Sequence, residues 1–355
     1  MNKPTGIVKD ACYLRHDMGS YHPECPQRLE VIYSMLDELG PFLNLMDIPI
    51  RHALTDEITA NHDPRYVTLI AATAGREDTF LDPDTSACAH SWDAAAQAVG
   101  GLFNLVDSVV EGTVRNGFAL VRPPGHHAER RRAMGFCFFN NVALAAHYAI
   151  RQHGMQRVAI VDWDLHHGNG TQNSFYEDPQ VLFLSVHQYP HYPGTGGVRE
   201  VGHGAGEGYT VNVPLSSGAG DLEYLAVFHN VVAPIIEAYK PELILVSAGF
   251  DAHRSDPLGG MSVTEDGYEH MVQILMHLAA EYCRDKLVLT LEGGYNLNAL
   301  RDSVSRLLTN LSSYDPGKEA VPTQPVLDTF PPSFTNRLKD VLNTHRKYWP
   351  NLPTL

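Results

Sequence analysis

Six short apolar runs punctuate the chain: Phe118–Val121, Val158–Val161, Val181–Val186, Tyr209–Val213, Leu243–Ser247 and Leu287–Leu291. Near-continuous apolar runs of this kind suit parallel strands buried on both faces, not half-exposed strands, which alternate. Longer stretches with helical periodicity lie around them, at Pro26–Leu39, Trp92–Val110, Asn140–His153, Leu222–Tyr239, Thr264–Arg284 and Leu297–Leu311. In the first, Leu29, Ile32, Tyr33, Leu36 and Leu39 share one face. Strands alternating with helices read as an α/β fold with a mainly parallel sheet. No repeat of fixed period is present. From Ser312 to Pro332 the sequence becomes Pro-, Ser- and Thr-rich, and a last helical pattern follows at Phe334–Leu342. The expectation is one domain over residues 1–312 and an extension, 313–355, that packs back on it.

Polar clusters follow five of the runs at once. They are Arg122-Pro-Pro-Gly-His126-His127, Asp162-Trp-Asp164-Leu-His166-His167-Gly-Asn169, His187, Asp251-Ala-His253 and Glu292-Gly-Gly-Tyr295. In an open parallel sheet, ligands bind outside the carboxyl ends of the strands. Strand direction therefore assigns all five clusters to one rim and one shared site. Taken singly, an Asp after a strand is usually a helix cap or turn former. A lone His is usually a surface or satisfied core residue, and Gly-Gly-Tyr a turn. The joint pattern is what departs from those readings.

Asp162, Asp164 and His166 alternate, so they project to one side while the chain stays extended. Two carboxylates and an imidazole suit Zn²⁺, Fe²⁺ or Mn²⁺ better than Ca²⁺ or a thiolate-seeking metal. Catalytic zinc sites commonly use three protein ligands, and Asp164, His166 and Asp251 make such a set. Asp162, His126, His127 and Tyr295 remain for orienting and acid–base roles. Metal-assisted hydrolysis is the implied reaction class.

Composition narrows the partners. Lys and Arg number 26 against 41 Asp and Glu, a formal charge of −15, which disfavours a nucleic-acid surface. No apolar run approaches the ~20 residues that span a bilayer, and the N-terminus lacks an apolar signal-like segment. Five scattered cysteines without a CxxC pair suggest neither a disulfide framework nor a zinc knuckle. A protein of a reducing compartment, with a cytoplasmic location, is the expectation.

With these motifs in place, the chain resembles the zinc-dependent histone deacetylase family of the arginase–deacetylase superfamily. The resemblance rests on HPECPQRLE (His22–Glu30), RPPGHHAE (Arg122–Glu129), GFCFFNN (Gly135–Asn141), VDWDLHHGNGTQ (Val161–Gln172), SVHQYPHYPGTG (Ser185–Gly196), SAGFDAHRSDPLGG (Ser247–Gly260) and EGGY (Glu292–Tyr295). These occur in family order over roughly residues 10–312, and their wording is closer to class II enzymes and bacterial amidohydrolases than to class I. The resemblance implies a parallel eight-stranded sheet flanked by helices, with catalytic loops at the strand C-termini. It also implies one Zn²⁺ per chain, with Fe²⁺ as the alternative, on Asp164, His166 and Asp251. His127 would be general base and then acid, with His126 its electrostatic neighbour oriented by Asp162. Tyr295 would bind the developing oxyanion. A structural K⁺ would lie on Asp162, Asp164, His166, Ser185 and Val186. Gly135, Phe136, Tyr192 and Leu258 would line a substrate tunnel. Asp84, in preference to Asp82, would stand at its rim, and Arg28 beside an acetate channel.

Departures from the family pattern refine the expectation. Asn169 stands where class I enzymes carry Asp beside the general base. Tyr295 stands where weakly active class IIa enzymes carry His, which favours real turnover. Tyr192 replaces the commoner Phe. Leu258 stands where polyamine-selective relatives carry an acidic gatekeeper. The expected activity is hydrolysis of an acetyl or short-acyl amide on a lysine side chain, with an acylated peptide, protein or small amine as partner. An acetylpolyamine or other small-molecule deacetylase is the alternative, and a catalytically weak acyl-lysine binding module a more distant one. A ureohydrolase with two manganese ions is disfavoured, because Asp251-Ala-His253 lacks its second bridging carboxylate. The oligomeric state is not legible.

Overall fold

The computed structural model describes residues 3–355. Its strands are β1 (Thr5–Val8), β2 (Leu45–Asp47), β3 (Thr79–Asp82), β4 (Thr85–Ala87), β5 (Asn116–Ala119), β6 (Val158–Asp162), β7 (Val181–Gln188), β8 (Thr210–Leu215), β9 (Leu243–Ala248) and β10 (Leu287–Leu291). Eight of them form one sheet in the order β2-β1-β5-β10-β9-β6-β7-β8, with every pairing parallel. β3 and β4 make a separate antiparallel hairpin. Helices flank the sheet, so its central strands are closed off on both faces. All residues of β6, β9 and β10 are buried. This is why those strands lack the polar alternation of a half-exposed sheet.

Parallel pairing brings the strand C-termini to one rim. At that rim Asp162 of β6 lies in register with Ser185 of β7 on one side and Ser247 of β9 on the other. A second apolar cluster, including Ile58, Tyr66, Phe103, Phe138 and Phe139, lies under the segment that carries Gly135 and Phe136. The Tyr66 hydroxyl donates to the Phe138 carbonyl at 2.5 Å, which ties that segment to the helix Pro64–Ala71.

Several elements depart from the sequence reading. β1 and β2 were not anticipated: β1 contains a glycine and β2 is a three-residue edge strand, so neither gives a strong strand signal. β5 ends at Ala119, two residues short of the expected Val121. The expected helix Leu222–Tyr239 is interrupted by a π-turn at Phe228–Val232. Pro234 follows directly and lacks the N–H that a regular helix would require. The Asn230 side-chain amide donates to the Ala226 carbonyl at 2.7 Å across this irregularity. The last helix is longer than anticipated, Pro332–His345, and buries Phe334, Leu338, Val341 and Leu342. Beyond it, Trp349 Nε1–H donates to the Gly208 carbonyl at 3.0 Å, fastening the C-terminal segment beside β8.

Candidate active site

The chain leaves β6 at Asp162, and the next residues curl under hydrogen bonds from their own carboxylates. Asp162 accepts from the Asp164 N–H at 3.1 Å, and Asp164 accepts from the His166 N–H at 2.8 Å. The turn directs Asp164 and His166 towards Asp251, which follows β9 and accepts from the Leu165 N–H at 2.8 Å. His166 Nδ1 lies 3.0 Å from Asp251 Oδ2 and 3.3 Å from Asp164 Oδ1. Ligand atoms of the three buried residues all fall within 4.8 Å of one another. Burial opposes the charge on His166, but Asp164 and Asp251 outweigh it and carry its pKa up to about 10. For Asp251, burial and then the nearby Asp164 raise the pKa. Two carboxylates facing each other without solvent call for a compensating cation. The donor set and its spacing fit a divalent metal ion.

Two glycines leave room for this arrangement. A Cβ on Gly293 would stand 2.2 Å from Asp251 Oδ2 and 2.7 Å from Asp164 Oδ2. Gly293 N–H also donates to Asp164 Oδ2 at 2.8 Å, so the EGGY loop closes over the triad. Gly135 has φ +56, and a Cβ there would lie 2.3 Å from His127 Cδ2. Only glycine permits both the left-handed backbone and that approach.

His126 and His127 lie side by side next to the triad, with tilted rings whose centroids are 4.0 Å apart, and their surroundings divide them. His126 Nδ1–H donates to Asp162 Oδ2 at 3.0 Å. Burial disfavours its charge, but Asp164 and Asp162 together hold its pKa well above the ordinary histidine value. His127 Nδ1 faces Asn169 Oδ1 at 2.8 Å. The Asn169 amide donates through Nδ2 to Glu129 Oε1 at 2.8 Å, so its oxygen must face His127. His127 therefore carries its proton on Nδ1 and leaves Nε2 as the free lone pair. Burial, then His126 and His166, depress its pKa well below the usual value. The two adjacent imidazoles are thus pushed in opposite directions, the separation that acid–base chemistry uses.

Tyr295 is half-buried at the end of the EGGY loop. Its ring meets Phe136 edge-on at 5.8 Å, and the Arg28 guanidinium lies 5.0 Å from its centroid. Burial pushes its phenol well above the usual value, although Arg28 opposes the shift. Arg28 is itself buried and donates to the carbonyls of Gly294 at 2.7 Å and Glu292 at 2.5 Å. Glu24 anchors Arg28 at 3.0 Å and also pairs with Arg122. The Tyr192 ring stands edge-on to His127 at 5.1 Å and to His166 at 6.0 Å. Of the two rim candidates, Asp82 is engaged by Arg132 at 2.7 Å. Asp84 instead accepts from the Gly135 N–H at 3.1 Å. The Leu258 carbonyl lies 3.2 Å from His191 Nε2, and the His191 ring stacks on His166 at 5.2 Å. On β7, Ser185 Oγ bonds His187 Nδ1 at 2.9 Å.

Sequence reasoning did not single out four neighbours of this site: Glu24, Asp256, Glu292 as a ligand of backbone, and His191. Glu292 accepts from the N–H groups of Gly125 and His126 at 2.6 and 3.1 Å, holding the His-His loop. Asp256 accepts from the Leu258 and Tyr295 N–H groups at 2.9 and 2.6 Å. Both carboxylates are buried, and burial pushes each up to about 7. Their only signal in the sequence is proximity to Asp251 and Tyr295.

Comparison with known proteins places this geometry among others. The family model for the histone deacetylase domain matches residues 22–311. Histone deacetylase 15 of Arabidopsis thaliana is 41% identical over 336 residues, which is 93% of this chain and 59% of that protein. The chain thus spans about three fifths of that relative's length. A probable deacetylase of Archaeoglobus fulgidus is 37% identical over 97% of this chain and 98% of its own length. Histone deacetylase 14, chloroplastic, of Arabidopsis thaliana is 42% identical over 84% of this chain and 74% of its own. The crystal structure of the HDA15 HD domain superposes with a TM-score of 0.91 at 40% identity, covering 99% of this chain and 96% of that one.

Proposed function

The chain belongs to the histone deacetylase family, within the arginase–deacetylase superfamily, and from that premise we propose that it hydrolyses the acetyl or short-acyl amide of a lysine side chain. The observation that carries this reading is the convergence of Asp164, His166 and Asp251 within 4.8 Å, beside a His126–His127 pair of which one faces the Asp162 carboxylate and the other the neutral Asn169 amide. An amide is a poor electrophile with a poor leaving group. Its hydrolysis needs carbonyl polarisation, a deprotonated water and a proton for the departing amine.

Asp164, His166 and Asp251 would hold Zn²⁺, with Fe²⁺ the alternative. When bound, that ion supplies Lewis-acid polarisation of the carbonyl and makes water more acidic. His127 Nε2 takes the proton of the attacking water, since its Nδ1–H is committed to Asn169. The same nitrogen then returns a proton to the leaving amine. His126 stays protonated on the Asp162 side and offsets negative charge developing nearby. The Tyr295 phenol, kept protonated by burial, donates to the carbonyl oxygen as it becomes an oxyanion. Gly135, Phe136, Tyr192 and Leu258 form the walls for an apolar stem, with Asp84 at the rim and Arg28 behind Tyr295 beside an exit for acetate. Asp162, Asp164, His166, Ser185 and Val186 make up the site for a structural K⁺, and the β6–β7 register of Asp162 with Ser185 supports it. Residues 1–312 act as the catalytic unit and 313–355 as its extension. The location is cytoplasmic in this reading. Among the described residues no helix is long and apolar enough to cross a membrane.

The test is hydrolysis by metal-reconstituted protein of an acetyl-lysine peptide, a trifluoroacetyl-lysine peptide and acetylated polyamines, with Tyr295→Phe alongside. Turnover of the acetyl peptide, cut by about 10²–10³ in the variant, is the expected result. Turnover confined to polyamines would keep the chemistry and overturn the lysine assignment.

A further inference from the structure

Two groups would polarise the substrate carbonyl in the reading above, the ion that Asp251 would help to hold and the Tyr295 phenol, and their protein anchors come from different strands. Asp251 follows β9, whereas Tyr295 follows β10. Their separation must be fixed if both are to address one oxygen, and no covalent link nearby fixes it. We propose that Asp256 is the positioning residue that sets it, acting as a strap between the loop that carries Asp251 and the loop that carries Tyr295. This inference rests on the amidohydrolase reading of the site.

Asp256 sits five residues after Asp251, on the same loop, and is buried. One carboxylate oxygen, Oδ1, accepts from the Leu258 N–H at 2.9 Å and so shapes its own loop. The other, Oδ2, accepts from two consecutive N–H groups across the gap, Tyr295 at 2.6 Å and Asn296 at 3.2 Å. Asn296 returns the contact, donating through Nδ2 to the Ser255 carbonyl at 3.0 Å. Through Oδ1 it also caps the helix Leu297–Ser313 by accepting from Ala299 N–H at 3.1 Å. The strap therefore holds Tyr295 by its own backbone and is braced by a long helix. Arg28 and Phe136 meet the tyrosine ring from the side. Three backbone N–H groups thus converge on one buried carboxyl, and a misplacement of about 1 Å in a reacting group can cost about 10² in rate.

Asp256→Asn tests the strap with little change in shape. An amide has one acceptor oxygen, so it can serve the Leu258 side or the Tyr295–Asn296 side but not both. The expected result is a fall of about 10- to 100-fold in kcat on the acetyl-lysine peptide, with KM within about threefold. The loss should shrink on the trifluoroacetyl peptide, because fluorine makes the carbonyl more electrophilic and its oxyanion less dependent on Tyr295. The double variant Asp256→Asn/Tyr295→Phe should be no slower than Tyr295→Phe alone. A role confined to folding would reduce both substrates alike and leave their ratio unchanged, and that outcome overturns the proposal. Hydrogen exchange gives a readout independent of turnover: amides of 293–297 should exchange faster in Asp256→Asn, and in Asp256→Ala if it folds. Unchanged exchange there overturns the strap whatever the substrate. Wild-type protein inactive on every amide, with faster exchange in the variant, would instead sink the catalytic reading and leave the strap standing.

Discussion

Substituting Gly293 by alanine puts the metal-site geometry to a steric test. The added methyl would sit 2.2 Å from Asp251 Oδ2 and 2.7 Å from Asp164 Oδ2. Real Cβ atoms essentially never come closer than 3.0 Å to a neighbour, so the Asp251 oxygen must retreat by about 0.8 Å. Gly293 lies outside the left-handed region, so alanine adds no backbone strain of its own and the effect is confined to the carboxylates. Productive metal–ligand distances tolerate only about ±0.2 Å. Losing a hydrogen-bonded partner of a ligand already costs about 10- to 100-fold in affinity. Displacing a ligand should therefore cost at least the upper figure, about 100-fold or about 2.7 kcal/mol. The assay is chelator competition for Zn²⁺ by metal-free protein, with circular dichroism to show that Gly293→Ala is folded. Affinity within threefold of wild type in a folded variant would mean that Asp251 does not ligate, and the triad would have to be redrawn.

Three further outcomes follow from the charges. Replacing Asn169 by Asp puts a negative charge beside the His127 imidazole, whose pKa is now held down by burial, His126 and His166. His127 must be neutral to accept a proton, so the acidic limb of the kcat/KM profile should move to higher pH; an unmoved limb would argue against His127 as the base. Glu24→Gln leaves Arg122 and Arg28 buried beside a neutral group, and should cost about 3–5 kcal/mol in denaturant unfolding. Burial would raise the Glu24 pKa, but Arg122 and His16 hold it well below the carboxylate range. Its contribution to stability is thus full above about pH 4.3, and should be lost progressively as pH falls from there towards the depressed value. Removal of metal by a chelator should lower Tm, since an ion at 100 times its Kd stabilises by about 2.7 kcal/mol; an unchanged Tm would speak against occupancy of the triad.

Much of the sheet was legible because central parallel strands are apolar on both sides. Asp162 could be put at a strand end because Val158–Val161 has no polar position to confuse the reading, and its true strand ends at Asp162. Strands β1 and β2 escaped notice because Gly6 and a three-residue edge give no pattern to read. The hairpin β3–β4 matters to the site through Asp84, which lies in the turn between its strands and accepts from Gly135 N–H. No local pattern announces such a contact across 51 residues of sequence. Glu24 reads as one more surface acid in HPECPQRLE, yet it is fully buried between two arginines.

The rim and the chemical types gathered there follow from local pattern. Strand direction is a local property, and each cluster follows its strand within a few residues, so a parallel sheet must collect Asp164, His166, Asp251 and Tyr295 at one end. The surroundings of each group come from packing between distant segments. Asn169 faces His127 with oxygen because Glu129 takes its nitrogen, and the proton of His127 is thereby confined to Nδ1. His126 and His127 are adjacent in sequence and chemically identical, but Asp162 reaches only the first. Protonation state depends on burial and on charges a few ångströms away in space, and those neighbours are brought in by packing between loops whose residues lie far apart in the chain.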